Sequence, residues 1–185
     1  MTLQRWQETL ITSQADGSTL TAAAAASMIP TGALATLPTN FMEIGKSILV
    51  KASGRISCAV TTPGTARFDI RFGATVVWDS TAIPLNVVAK TTVGWYLEVL
   101  LTCRSIGSAA TIWGQGMWFS EAALLVPVPS TGPGPGGNVL PYNTTPAVGG
   151  NTFNSAATQQ VDVFFTQTVA TGSLTCHQYC LQTLN

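Results

Sequence analysis

The strongest constraint in this sequence is the alternation within residues 94–116, GWYLEVLLTCRSIGSAATIWGQG. Trp95, Leu97, Val99, Leu101 and Cys103 take the odd positions; Tyr96, Glu98, Leu100, Thr102 and Arg104 take the even ones. Side chains two apart on a strand share a face, so 95–104 reads as a strand with one apolar side. Residues 105–110 carry Gly107 and read as a turn, and 111–119 read as the returning strand of a central hairpin. On that return Ile112, Gly114, Gly116 and Trp118 share a face. Two glycines leave a bare strip of backbone against which a bulky side chain can pack. The strip is expected to be filled by the opposing sheet or by a neighbouring subunit, which makes Gly114 and Gly116 candidate partner contacts.

The rest of the chain carries the same period. Residues 47–60, SILVKASGRISCAV, predict a strand pair or one bulged strand with Gly54 at the bend. Residues 67–72 alternate, with Phe68, Ile70 and Phe72 inward and Asp69 and Arg71 outward; Asp69 and Glu98 are both expected on solvated strand faces. Gly73-Ala74 turns the chain into a strand over 75–79, and 85–90 reads as an edge strand after Pro84. Further strands are predicted over 122–128, 161–169 and 174–184, the last two joined by a turn at 170–172. Near the start, Trp6, Thr9 and Ile11 fit a first strand over 8–14 that turns at Asp16-Gly17, while Leu3, Trp6 and Leu10 fit a short helix. The alanine run 22–26 is too short to nucleate a helix and reads as an extended lead-in.

Residues 130–152, STGPGPGGNVLPYNTTPAVGGNT, contain four prolines, six glycines and no charge, and read as a long loop inside the domain. The organisation is therefore an arm and first strand over 1–20, then one domain over 21–185 with the loop 130–152 inserted. Some eight to ten strands with frequent turns mark an all-β fold, an antiparallel β-sandwich of jelly-roll type.

Charge then narrows the function classes. Charged residues make up only 9% of the 185, and eight basic side chains cancel eight acidic ones. Nucleic-acid binding needs a basic excess gathered on one face, so no such partner is expected. Near-zero net charge favours association, and the 27 threonines dress the strands with hydroxyls instead of charges. No leader-like segment opens the sequence and no apolar run reaches the roughly 20 residues of a membrane span. Synthesis in a cytoplasm is the expectation, with Cys58, Cys103, Cys176 and Cys180 reduced and packed as small hydrophobes.

Catalytic and metal motifs are missing. His177 lies between Cys176 and Cys180, but strand alternation places both thiols on one face and the imidazole on the other, so no metal site is expected. No nucleophile elbow, phosphate loop or dinucleotide fingerprint occurs, and no cofactor is implied. The acids are scattered singly, leaving only a spatial pair open for glycoside chemistry. Trp78, Trp95, Trp113, Trp118, Tyr96 and Tyr142 could together form a sugar-stacking face; the inward tryptophans are expected to fill the core instead, with Tyr142 the one most exposed to a partner.

The segments ETLITSQADGSTL, GKSILVKASGRIS, FDIRFGATVVWDS, the central hairpin and the closing DVFFTQTVATGSLTCHQYCLQTLN together give a texture that resembles the jelly-roll, tumour-necrosis-factor-like structural proteins of tailed bacteriophage virions. The likeness spans roughly residues 8–185, and the Pro/Gly-rich insertion departs from plainer examples. It implies a non-enzymatic virion component made in the bacterial host cytoplasm: a capsid decoration or minor capsid protein, a homotrimer that meets the major capsid protein. The alternative it implies is a receptor- or carbohydrate-binding tip module. Residues 1–14, with Trp6 and Ile11, would then contact a neighbouring subunit or the shell.

Overall fold

The computed structural model describes residues 7–59, 62–123, 139–140 and 152–184. Trp6, Tyr142 and nearly all of the loop 130–152 lie outside the described residues, as do residues 124–128 of the strand expected after the hairpin.

Among the described residues the chain forms thirteen strands and no α-helix: β1 (Gln7–Thr12), β2 (Ala25–Ser27), β3 (Ala35–Leu37), β4 (Ser47–Cys58), β5 (Thr65–Phe72), β6 (Thr75–Asp79), β7 (Ile83–Pro84), β8 (Lys90–Ser105), β9 (Ala110–Ser120), β10 (Val139–Leu140), β11 (Thr152–Phe153), β12 (Gln159–Gln167) and β13 (Ser173–Leu184). A 3-10 turn occupies Thr31–Ala33. The larger sheet runs β1-β13-β4-β8-β9-β10, with β11 also on β9; the smaller runs β2-β12-β5-β6, with β3 on β12 and β7 on β5. Every ladder is antiparallel.

A jelly roll is a long hairpin of four strand pairs wrapped into two sheets, so its first strand lies beside its eighth, the second beside the seventh, the third beside the sixth and the fourth beside the fifth. Those four pairings are present as β1 with β13, β2 with β12, β4 with β8 and β5 with β6. The fold is an antiparallel jelly-roll sandwich, with β9 added where the hairpin returns along β8.

Alternation explains the layers. Trp95, Leu97, Val99, Leu101 and Cys103 are all buried, as are Phe68, Ile70 and Phe72 on β5. The two sheets meet through aromatic contacts: the Phe68 ring lies 5.3 Å from that of Trp118 and 6.0 Å from that of Trp95. Offset and tilted contacts of this kind add to simple area burial. Gly73 and Gly107 turn the β5–β6 and β8–β9 hairpins with φ of 59° and 110°, a region L side chains avoid.

Four local expectations are corrected. Residues 85–90 are not one strand: Leu85 pairs in an isolated bridge with Ala123, 86–89 belong to no strand, and Lys90 opens β8 opposite Cys58. Asp16-Gly17 does not turn the chain, which bends at 14–15 and then runs on beside β13, with Gly17 N donating to Cys176 O at 2.8 Å. The helix alternative near residue 10 yields to β1. On β13 a bulge leaves His177 unpaired, since Cys176 faces Gly54 and Gln178 faces Ser53. One extra residue reverses the parity of everything after it. Cys176 therefore points inward and is buried, whereas Cys180 is half-buried on the outer face, and the two thiols do not share a face.

Candidate functional site

The outer face of the larger sheet gathers the side chains with unspent chemistry. Register aligns them in rows across β13, β4, β8 and β9: Gln178–Ser53–Tyr96–Phe119, then Cys180–Lys51–Glu98–Met117, then Gln182–Leu49–Leu100–Gln115. Directly opposed side chains on one face lie close enough to interact.

The middle of this face is polar. Tyr96 Oη donates to Glu98 Oε2 at 2.6 Å, and Lys51 Nζ stands 3.6 Å from the same oxygen. Burial, then the bond to the Glu98 carboxylate and its charge, push the Tyr96 phenol up to about 12, so it remains a donor at physiological pH. Ser53 Oγ donates to Gln178 Oε1 at 3.1 Å. Where β1 ends, Ser13 Oγ accepts from Tyr179 N at 2.8 Å. Tyr96, Lys51, Ser53, Gln178 and Ser13, with Cys180, border a concavity of about 370 Å³. The bulge at His177 sets which β13 side chains stand on this face, and a second bulge lies on β1 between Thr9 and Ile11.

Toward β9 the face turns apolar. Leu100, Met117 and Phe119 are 41%, 38% and 43% exposed. A second concavity of about 360 Å³ lies between Leu100, Trp113 and Met117, floored by Gly116 and bordered by Glu98. Arg104 stacks over Trp113 at 5.9 Å. Exposed aliphatic side chains in one contiguous group mark a contact surface more than scattered ones do.

The smaller sheet carries an ionic network on its outer face. Arg67 grips Asp79 through both carboxylate oxygens. Arg71 Nε donates to Asp69 Oδ1 at 2.5 Å and its guanidinium stacks on Phe164 at 3.6 Å. Asp69 is only 3% exposed, which corrects the solvated face expected for it. Asp162 accepts from Ser27 Oγ and Val163 N, both at 2.7 Å; burial raises its pKa against those bonds, and Asp69 raises it further. Acids do therefore cluster in space, but each is tied to a donor and they form a structural ion-pair net.

The sequence-predicted contacts scatter. Gly114 faces inward, where Trp78 of the smaller sheet and Leu101 fill the strip, and Gly116 sits against the Val99 side chain and the Glu98 carbonyl. Ile11 is half-buried opposite Leu181 and packs on the core. Of the aromatics named for a sugar-stacking face, Trp78, Trp95 and Trp118 are buried, while Trp113 and Tyr96 are half-buried on the outer face. His177 is exposed, with Nδ1 2.9 Å from Asp16 Oδ1; among the described residues no group of three or more His, Cys, Asp or Glu is placed to hold a metal. Among the described residues no helix is long and apolar enough to cross a membrane. The Tyr96–Glu98 pair was legible as a two-residue step on one strand, whereas Lys51 and Gln178 join them only through register.

No protein family, curated protein or solved structure matches the chain.

Proposed function

We propose that this chain is a non-enzymatic structural protein of a bacteriophage virion, a capsid decoration or minor capsid protein that assembles as a homotrimer on the shell. The observation that carries the reading is the exposed apolar group Leu100, Met117 and Phe119 on the outer face of the larger sheet. A monomer gains nothing from leaving such a group in water, whereas covering it on assembly recovers roughly 25 cal/mol per Å². The jelly-roll connectivity and zero formal charge agree with it. Light scattering tests association: a trimer that Met117→Ser with Phe119→Ser converts to monomer supports the reading. A wild-type monomer at micromolar concentration overturns the trimer, and electron microscopy of particles lacking this protein tests its place on the head.

A second reading, a receptor- or carbohydrate-binding tip module, is favoured by one observation, the polar concavity beside Tyr96.

A further inference from the structure

We propose that the concavity over β13, β4 and β8 is a binding site for a neutral pyranose ring, one sugar unit of a glycan. This gives the second reading its site and ligand class, and rests on that reading only for its biological purpose.

The argument starts from charge. Among the described residues Lys51 is the one charged side chain lining the concavity, and Glu98, 3.6 Å away on the neighbouring strand, offsets it. An anionic ligand gains Lys51 but meets Glu98, and a cationic one the reverse. A ligand with many hydroxyls and no charge meets neither conflict.

Hydrogen-bonding capacity points the same way. Glu98, which stands beside the concavity and not in its lining, spends Oε2 on both the Tyr96 and the Lys51 contacts and keeps Oε1 as an acceptor with no partner among the described residues. Ser53 engages the oxygen of Gln178, and this orients the two Nε2 donors away from that bond. Ser13 Oγ accepts from Tyr179 N and so keeps its own hydrogen to give. A carboxylate acceptor beside amide, ammonium and hydroxyl donors suits vicinal hydroxyls, each of which donates and accepts. The half-buried Tyr96 ring supplies an apolar wall of the kind the C–H face of a sugar covers. A volume of about 370 Å³ lies at the lower end of small-ligand sites and suits one ring better than a long oligomer.

The bulges make this local. Without the extra residue at His177, Gln178 and Cys180 would keep their register with β4 only if the preceding half of β13 reversed its faces. The bulge at His177 thus decides which side chains of β13 face the site.

The test is a titration of the isolated protein, followed by amide NMR, with methyl glycosides of glucose, galactose, mannose, fucose and N-acetylglucosamine. At least one should bind with a dissociation constant on the order of millimolar and perturb Ser53, Tyr96 and Gln178. Gln178→Ala and Ser53→Ala, both on the outer face, should each weaken that binding about tenfold, while Thr166→Ala on the other sheet should not. Glucuronate and glucosamine should bind no better than the neutral glycosides. Absence of binding by every glycoside, perturbation confined to other residues, or a strong preference for either charged sugar would overturn the site. Binding by the isolated protein without any effect of Gln178→Ala on particle adsorption would uphold the site and remove the receptor reading.

Discussion

The indole of Trp78 lies where a side chain at Gly114 would go: a Cβ built on Gly114 would stand 2.8 Å from Trp78 Cδ1 and 2.5 Å from Leu101 Cδ2. Both neighbours are fully buried and hemmed in, so neither can retreat cheaply. Gly114→Val should cost about 1–3 kcal/mol, the usual penalty of overpacking, and lower the thermal midpoint without altering oligomer size. An unchanged midpoint would mean that Trp78 swings aside.

Asp69 and Arg71 form the most enclosed ion pair of the outer network. Removing one partner of a buried pair strands the other charge. Arg71 retains some solvent, so Asp69→Ala should cost about 2–3 kcal/mol, below the range for fully buried pairs. Urea unfolding of the variant measures this, and a loss comparable to an exposed pair would show that water reaches Arg71.

Thr92 adopts φ of 56°, an unusual conformation for a β-branched residue, and is exposed beside the bulge between Ile56 and Cys58. Left-handed backbone costs roughly 1–2 kcal/mol in L residues. Thr92→Gly should therefore stabilise the fold by about 1 kcal/mol, read as a raised denaturation midpoint.

Alkali should weaken the fold through its buried acids. Burial lifts the Cys176 thiol from 9.0 to about 12 and the Tyr96 phenol from 10.0 to about 12, and raises the Tyr179 phenol too. Groups with raised folded pKa values bind their protons more tightly when folded. Their contribution is intact below the unfolded values and is lost as pH climbs toward about 12. Stability should be flat from pH 7 to about 8.5 and fall above that. Cys176→Ala should flatten the early part of the fall, which urea midpoints across this range would detect.

Deleting His177 should be far worse than changing it. The deletion closes the bulge and turns Leu174 and Cys176 outward or breaks the pairing with β4. His177→Ser keeps the spacing and gives up only an exposed contact with Asp16, so it should lie within about 0.5 kcal/mol of the parent. Circular dichroism melts of the two variants decide between spacing and side chain.

The sequence made the sheets legible wherever apolar and polar residues alternated, as in β5, β8 and β9. It failed where position depends on a neighbour. The reversal at His177 is invisible in β13 alone, because a bulge is defined by two residues opposing one on the partner strand. Burial of Asp69 comes from Phe164 across the sheet together with the Arg71 side chain two residues further along β5, a pairing that alternation alone does not announce. The polar concavity is likewise a product of register: Gln178, Ser53 and Tyr96 are distant in sequence and adjacent only once β13 lies on β4 and β4 on β8.

The pairing of β1 with β13 brings Gln7 opposite Leu184 and lodges β13 between β1 and β4. The larger sheet therefore cannot close until residue 184 has been synthesised, however early β4, β8 and β9 collapse. During translation β1 and β4 wait with open edges, and non-local closure of this kind is slow. Edges left open in this way invite strands from other nascent chains. A protein translated many times from one message would meet that hazard at its highest local concentration, where the sparing use of long apolar edge strands matters most.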